Sequence, residues 1–279
     1  MLPNLEGAKI LPIAAIALGA LLLVMYAVRH LPENTRALML HVEHPESYRF
    51  STYDQLLKKY VKDGRVDYAK LKDDPDLKKA VEAIEAIAPD KLNSEKERAS
   101  FWINAQNLLT LKLICDHYPI TSTDQISQFW SQTPYIIGGE TLSVSRVYDQ
   151  AINQMDDKRL PVSTVFLISR GSVGYPPLTA HAITPETLEA DAKLAAYKFV
   201  NNEHNVYYDE ERLEYLLSPL LKRYERILNR SKYDPHTFAV MRMSGKNVPD
   251  LTNLMITKTY FSRIDPTLND TALSPKETE

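Results

Sequence analysis

The chain has 279 residues with 33 basic and 36 acidic side chains, a formal net charge of −3, and no dominant basic patch, which argues against nucleic acid as a partner. Its single cysteine, Cys115, excludes an intramolecular disulfide and any cysteine-rich metal site. Scarce glycine (8) and frequent tyrosine (16) fit a helix-rich domain better than a β-sandwich.

Residues 1–9 form a short N-terminal flank. Residues 10–28 are nineteen consecutive uncharged, almost wholly apolar residues. A helix over them is about 28 Å long, close to the hydrocarbon thickness of a bilayer. The competing reading is a cleaved signal peptide, whose apolar region runs about 7–15 residues and ends in a small-x-small step. Here the run is longer and ends in Met25-Tyr26-Ala27-Val28-Arg29, so an uncleaved transmembrane signal anchor is predicted. Lys9 on one side and Arg29 and Arg36 on the other leave its orientation open. Ala15 and Gly19 form a small-xxx-small pair that admits a second helix, although both residues are common in single anchors.

Residues 29–50 lack a steady period and read as a juxtamembrane linker. Tyr53, Leu56, Leu57, Tyr60 and Val61 then recur at helical spacing, and Asp63-Gly64 stops that helix before an extended Arg65 to Tyr68. Leu77, Val81, Ile84 and Ala88 mark a second helix. Ser94-Glu95-Lys96-Glu97 is a capping box opening a helix to about His117, apolar on nearly every face and therefore central. Tyr135 to Val144 reads as a hairpin around Gly138-Gly139. The β-branched run Ser163 to Ile168 suggests a buried strand leading into a Gly- and Pro-rich loop, Arg170 to Pro177. Thr184 and Pro185 open another helix to about Asn201, Val206 to Tyr208 is a strand, and Leu213 to Leu228 carry helical spacing despite Pro219. No repeat or internal linker appears, so residues 51–264 are predicted as one α+β globular domain with a small β-sheet, and residues 265–279 as a flexible tail.

Within the central helix, Asn104 and Asn107 lie one turn apart. Buried amides require partners, so these two either tie neighbouring loops in place or line a pocket; the structural role is the plainer one. Cys115-Asp116-His117 suggests a nucleophile and base, yet positions 115 and 117 point about 200° apart on a helix. A thiol near a helix C-terminus also lacks the cation that lowers its pKa, so Cys115 reads as a buried small hydrophobe. His41 and His44 have a metal-gripping spacing without a third ligand, and His181, His204 and His236 have no companion spacing. No metal site and no cofactor is expected.

Several segments together resemble the domain of unknown function 547 family. Leu56-Leu57 through Val66-Asp67-Tyr68 is similar to its opening helix and "VDY" strand. Phe101-Trp102-Ile103-Asn104-Ala105-Gln106-Asn107-Leu108 resembles its distinctive Phe-Trp-Ile-Asn-x-Tyr-Asn-Ala, and Tyr118-Pro119-Ile120 resembles the "YPV" that follows. Ser163 to Leu178 resembles its strand and Cys-Pro-Pro-Leu loop, and Thr184-Pro185-Glu186 to Phe199 its next helix. The resemblance covers roughly residues 50–230 and implies a papain- or transglutaminase-like scaffold. The departures fall on reactive groups. Where the family commonly has Ile-Glu-His this chain has Val147-Tyr148-Asp149; where it has a His opening the strand there is Val165; where it has Cys before Pro-Pro there is Tyr175. Those two imidazoles and one thiol are what a cysteine-hydrolase mechanism needs.

The resulting expectation is a membrane-anchored, catalytically degenerate domain acting in binding or assembly at the cell envelope, its globular part periplasmic. An accessory-subunit role beside a membrane-protein partner is compatible with it. Asn104, Asn107, Arg170 and Tyr175 are the candidate binding residues. The alternative is a hydrolase or transferase with Asp149 as base and Ser172 as nucleophile, the latter exposed by Gly171 and Gly174; an ordinary loop serine is the plainer reading.

Overall fold

A computed structural model describes residues 50–244 and 258–273. Helix α1 (Ser51–Tyr60) buries Tyr53, Leu56, Leu57 and Tyr60, the predicted stripe. A two-stranded hairpin, β1 (Val61–Lys62) and β2 (Arg65–Val66), turns at Asp63-Gly64. The short α2 (Tyr68–Leu71) leads to α3 (Pro75–Glu85), where Asp74 caps the first turn and Pro75 occupies its start.

Helix α4 (Glu95–His117) organises everything else. Fifteen of its 23 residues are buried, which makes it central as predicted. Ser94 accepts from Glu97 N at 3.1 Å, while the Glu97 carboxylate reaches back to the Asn93 N–H rather than to Ser94. Two apolar clusters lie on different faces of α4. Phe101, Ala105, Leu108 and Leu109 pack with α1 and α3 in one, Ala99 and Ile103 with the later helices in the other, and Trp102 touches both.

After the short α5 (Phe129–Gln132) comes the predicted hairpin, β3 (Pro134–Ile137) with β4 (Glu140–Ser143), antiparallel with Tyr135 opposite Leu142. Helix α6 (Val144–Met155) follows, capped by Ser143, and lies against α4. Further on are α7 (Leu188–Val200), β5 (Val206–Asp209) and β6 (Glu214–Leu217). Three short helices close this part: α8 (Pro219–Arg223), α9 (Glu225–Leu228) and α10 (Pro235–Val240). Strand β7 (Lys258–Phe261) then pairs parallel with β6.

Several expectations are corrected. The predicted order of a transmembrane helix followed by a domain with one small sheet does not hold: the described residues form a mixed domain with three separate small sheets. No helix among them is long and apolar enough to cross a membrane. The predicted span at 10–28 and the pair His41 and His44 lie outside the described residues. Residues Val162–Leu167 form a 3-10 helix rather than a strand, with the Thr164 hydroxyl donating to the Pro161 carbonyl at 2.7 Å. Helix α7 starts at Leu188 instead of Thr184, because Thr184 and Thr187 exchange side-chain-to-backbone hydrogen bonds in a preceding turn. Leu213 takes a positive φ of 54°, which ends any helix there and sets up β6.

Residues 264–270, most of them assigned by sequence to a loose tail, form a buried strap. Leu268, Asn269 and Asp270 are almost fully buried. Backbone N–H groups of Val66, Thr123, Val173 and Gly174 donate to carbonyls at Asn269, Pro266, Thr267 and Asp265. The Asn269 amide accepts from Tyr68 Oη at 2.8 Å and donates to Gly64 O at 3.0 Å, and Tyr118 Oη donates to Asp270 at 2.9 Å. The strap thus closes the early hairpin, the segment after α4 and the 171–174 loop onto one another. Asn269→Ala leaves the fully buried Tyr68 hydroxyl without its acceptor. The expected cost is roughly 2–3 kcal/mol, read as a lower urea midpoint at unchanged m-value.

Candidate functional site

The site begins on α4. Asn107 donates to Leu167 O at 2.9 Å and accepts from Ser169 N at 2.9 Å. One turn earlier, Asn104 donates to Ile183 O at 2.8 Å and accepts from Ile183 N at 2.9 Å. Each amide copies a peptide unit, satisfying one buried N–H and one buried C=O. Both therefore take the structural role: together they hold the two ends of the segment from Ile168 to Ile183, and neither lines the cleft formed by it.

That segment carries Arg170, Ser172 and Tyr175. Two glycines fix its path. At Gly171, with φ +71°, a Cβ would lie 2.2 Å from Ile114 Cδ1; at Gly174 it would lie 2.5 Å from Asp265 N on the strap. They bring the loop down onto α4 and the strap, and Ser172 is 97% buried rather than presented, pairing across a bridge with Leu268. Among the described residues no imidazole or carboxylate hydrogen-bonds its hydroxyl.

Arg170 is half-buried, its guanidinium 4.6 Å from the Trp130 ring centroid, 5.1 Å from Tyr148 and 5.7 Å from Tyr175. Three rings offering π-faces to one cation form a desolvated seat. Arg223 donates to Tyr175 Oη at 2.9 Å, and Tyr148 Oη donates to Tyr224 Oη at 3.3 Å. Burial pushes the Tyr148 phenol up, partly offset by its hydrogen bonds to Tyr224 and Arg223, and burial pushes Tyr224 well above its ordinary value. For Arg223, burial works against the charge, but the phenols of Tyr175 and Tyr148 outweigh it and raise the pKa. The phenols of Tyr148 and Tyr224 stay protonated here and the Arg223 guanidinium stays charged.

Beside this seat lies a half-open cleft of about 240 Å³, lined by Trp130, Arg170, Ser172 and Tyr175, with Thr123, Asp124, Ser127 and the strap residues Ile264 and Pro266 completing the wall. Of the predicted residues, Arg170, Ser172 and Tyr175 come together. Asp149 does not join them. It sits on the outer face of α6 with a side chain 56% exposed, 3.6 Å from Arg146. Its neighbour Tyr148 turns inward instead, as the 100° step of a helix requires. Trp130 and Arg223 were not singled out in the sequence; no local pattern marks them, since their partners lie far along the chain.

Two other sequence candidates also resolve. Cys115 is buried, and burial pushes its thiol up to about 12, with Asp116 adding to the effect. His117 turns away, its Nδ1 2.8 Å from Leu113 O and its ring 4.1 Å from that of Phe129. Among the described residues no cluster could hold a metal ion.

The family model described as "Protein of unknown function, DUF547" matches residues 89–200. That match assigns residues 89–200 to the DUF547 family. The matched stretch of the DUF547 domain contains Asn104, Asn107, Trp130, Asp149, Arg170, Ser172 and Tyr175; the strap and Arg223 lie beyond it. No curated protein and no solved structure matches this chain.

The two amide clamps and the surface carboxylate make contrasting predictions. Asn104→Ala and Asn107→Ala each strand a buried donor and acceptor and cost roughly 2–4 kcal/mol. Asp149→Ala stays within about 0.5 kcal/mol of the parent. Equilibrium denaturation of the three variants separates these outcomes.

His181, isolated in the sequence, pairs in space with Asp191 at 3.0 Å. The hydrogen bond to Asp191 raises the His181 pKa, burial opposing it. For Asp191, burial pushes upward, but hydrogen bonds from His181 and Thr187 prevail and lower it. A raised histidine contributes stability below its unfolded value of about 6.5 and loses it as pH climbs through the folded value. The lowered carboxylate contributes above about pH 4 and loses its share on acidification. His181→Ala should therefore reduce Tm more near pH 6 than near pH 9, a difference that scanning calorimetry at the two pH values checks.

Proposed function

We propose that this DUF547 domain is a catalytically degenerate binding module, engaged in recognition or assembly, whose occupant offers a carboxylate to Arg170. One observation carries the reading: among the described residues Arg170 is a half-buried cation with ring contacts and no acidic partner. A guanidinium already stripped of much of its water, with its planar fork oriented by aromatic walls, suits a two-point hydrogen bond to a carboxylate. Asp124 in the same cleft disfavours a multiply charged anion such as a polyphosphate, and with Thr123 and Ser127 it suits the amide groups of a peptide. The cleft volume fits one or two terminal residues rather than a large ligand. The apolar run at 10–28 lies outside the described residues and has no part in this reading.

Support for degeneracy comes from the chain itself. Tyr175 and Val165 stand where the resemblance implies a thiol and an imidazole, and the side chain of Asp149 is on the surface. The test compares peptides with free and amidated C-termini, immobilised and probed with the full chain and with Arg170→Ala. Free carboxylates should be preferred, and the substitution should weaken their capture about tenfold or more, with Arg170→Lys intermediate. Equal capture of both peptide forms would sink the carboxylate reading. Turnover of any peptide abolished by Asp149→Ala or Tyr175→Phe would overturn the binding reading as a whole.

A further inference from the structure

We infer that a second cleft, separate from the Arg170 seat, is a saccharide-binding site for neutral oligosaccharides. It lies between the turn at Pro89, the Gly138 corner of the β3–β4 hairpin, α4 and α6, and has a volume of about 570 Å³. That is within the roughly 300–1,000 Å³ range of small-ligand sites. It is the chemistry of its wall that selects the ligand.

Helix α6 presents three amides to the cleft, Gln150, Asn153 and Gln154, spaced i, i+3 and i+4 and so sharing one face. Among the described residues none of these amides spends its donors or acceptor on the protein. Each offers both, the match for sugar hydroxyls that donate and accept at once. From α4, Trp102 adds a partly buried indole to the same wall. An aromatic face is electron-rich and receives the axial C–H face of a pyranose, while an amide beside it fixes the ring's rotation. Amides converging with an indole in one cleft form a better fit to a polyhydroxylated ring than to an apolar ligand.

Charge narrows the class. Arg98 is committed to Glu95, Asp157 to Arg159, and Asp156 to Arg226. Asp90 and Glu140 line the cleft without an ion pair among the described residues, so the free charge is negative. Acidic sugars are repelled, whereas neutral ones gain two strong hydroxyl acceptors. A basic peptide would satisfy the two carboxylates and the amide oxygens but its side-chain cations offer no acceptor to the three amide N–H₂ groups, so the saccharide is the better occupant.

The molecule supplies its own reporter. Its two tryptophans are Trp102 and Trp130, so Trp130→Phe leaves Trp102 as the sole indole while keeping a ring beneath Arg170. In that background the trisaccharides of glucose, mannose and N-acetylglucosamine are titrated at millimolar concentration into the full chain. At least one should shift the Trp102 emission saturably. Replacing Gln150, Asn153 and Gln154 together by Ala should weaken the response tenfold or more with Tm little changed, because among the described residues these side chains make no hydrogen bond or ion pair that holds the fold. A response to none of the three, a response indifferent to the triple substitution, or a response to oligolysine in their place would overturn the inference. Arg170→Ala should leave the titration unaltered, which keeps this result independent of the first cleft.

Discussion

The pair of amides on α4 is the constraint on which the rest depends. A helix buried on nearly every face offers few places to hold an irregular segment, because its own backbone groups are used internally. Asn104 and Asn107 solve this by presenting peptide-like amides one turn apart, each closing a two-bond ring with a passing strand of loop. The chain between them, sixteen residues from Ile168 to Ile183, would otherwise carry many buried polar groups with nowhere to bond. With both ends fixed, Arg170, Ser172 and Tyr175 are held at one place on the surface. The same residues that look chemically suggestive in a sequence are thus scaffold, and the functional candidates are what they hold.

The strap supplies the second half of that support, and it explains the glycines. Backbone from 265 to 269 runs beside the 171–174 loop closely enough that a Cβ at Gly174 would collide with main-chain atoms of Asp265. Both walls of the Arg170 cleft therefore depend on sequence that lies roughly ninety residues further along the chain. The polar composition that reads as a loose tail has a different cause. Asn269 and Asp270 are polar because they must satisfy Tyr68, Gly64 and Tyr118 inside the domain. Burial with full hydrogen bonding leaves no hydrophobic period to detect.

What was legible in the sequence was local. The cap at Ser94, the glycine corner of the β3–β4 hairpin and the stripe of α1 are set by neighbours within a few residues and formed where the pattern puts them, although Glu97 reaches Asn93 instead of closing the box on Ser94. The failures share a cause. Ser163 to Ile168 has strand composition, but among the described residues no strand lies beside it to accept a ladder, and Thr164 bonds Pro161 instead to close a 3-10 turn. Leu213 to Leu228 merges a strand and two short helices whose apolar residues happen to mimic one period. The cleft was half visible. Arg170, Ser172 and Tyr175 share a loop, whereas Trp130, Tyr148 and Arg223 reach them only through tertiary contacts that no spacing records.

Tyr175 packs on both of the cations beside it. Its phenol is long enough to accept from Arg223 and still lie against Arg170, so it forms one fixed wall of the cleft. Tyr148, one residue before the exposed Asp149, closes the other flank and is tied to Tyr224. Packing of this kind favours recognition. A cation fixed in advance by three rings and a clamped loop loses little further conformational freedom when a partner arrives, so more of the contact energy survives as affinity. On the reading proposed above, the amide clamp and the strap hold the loop in place, and the identity of the side chains on it decides which role the cleft can fill.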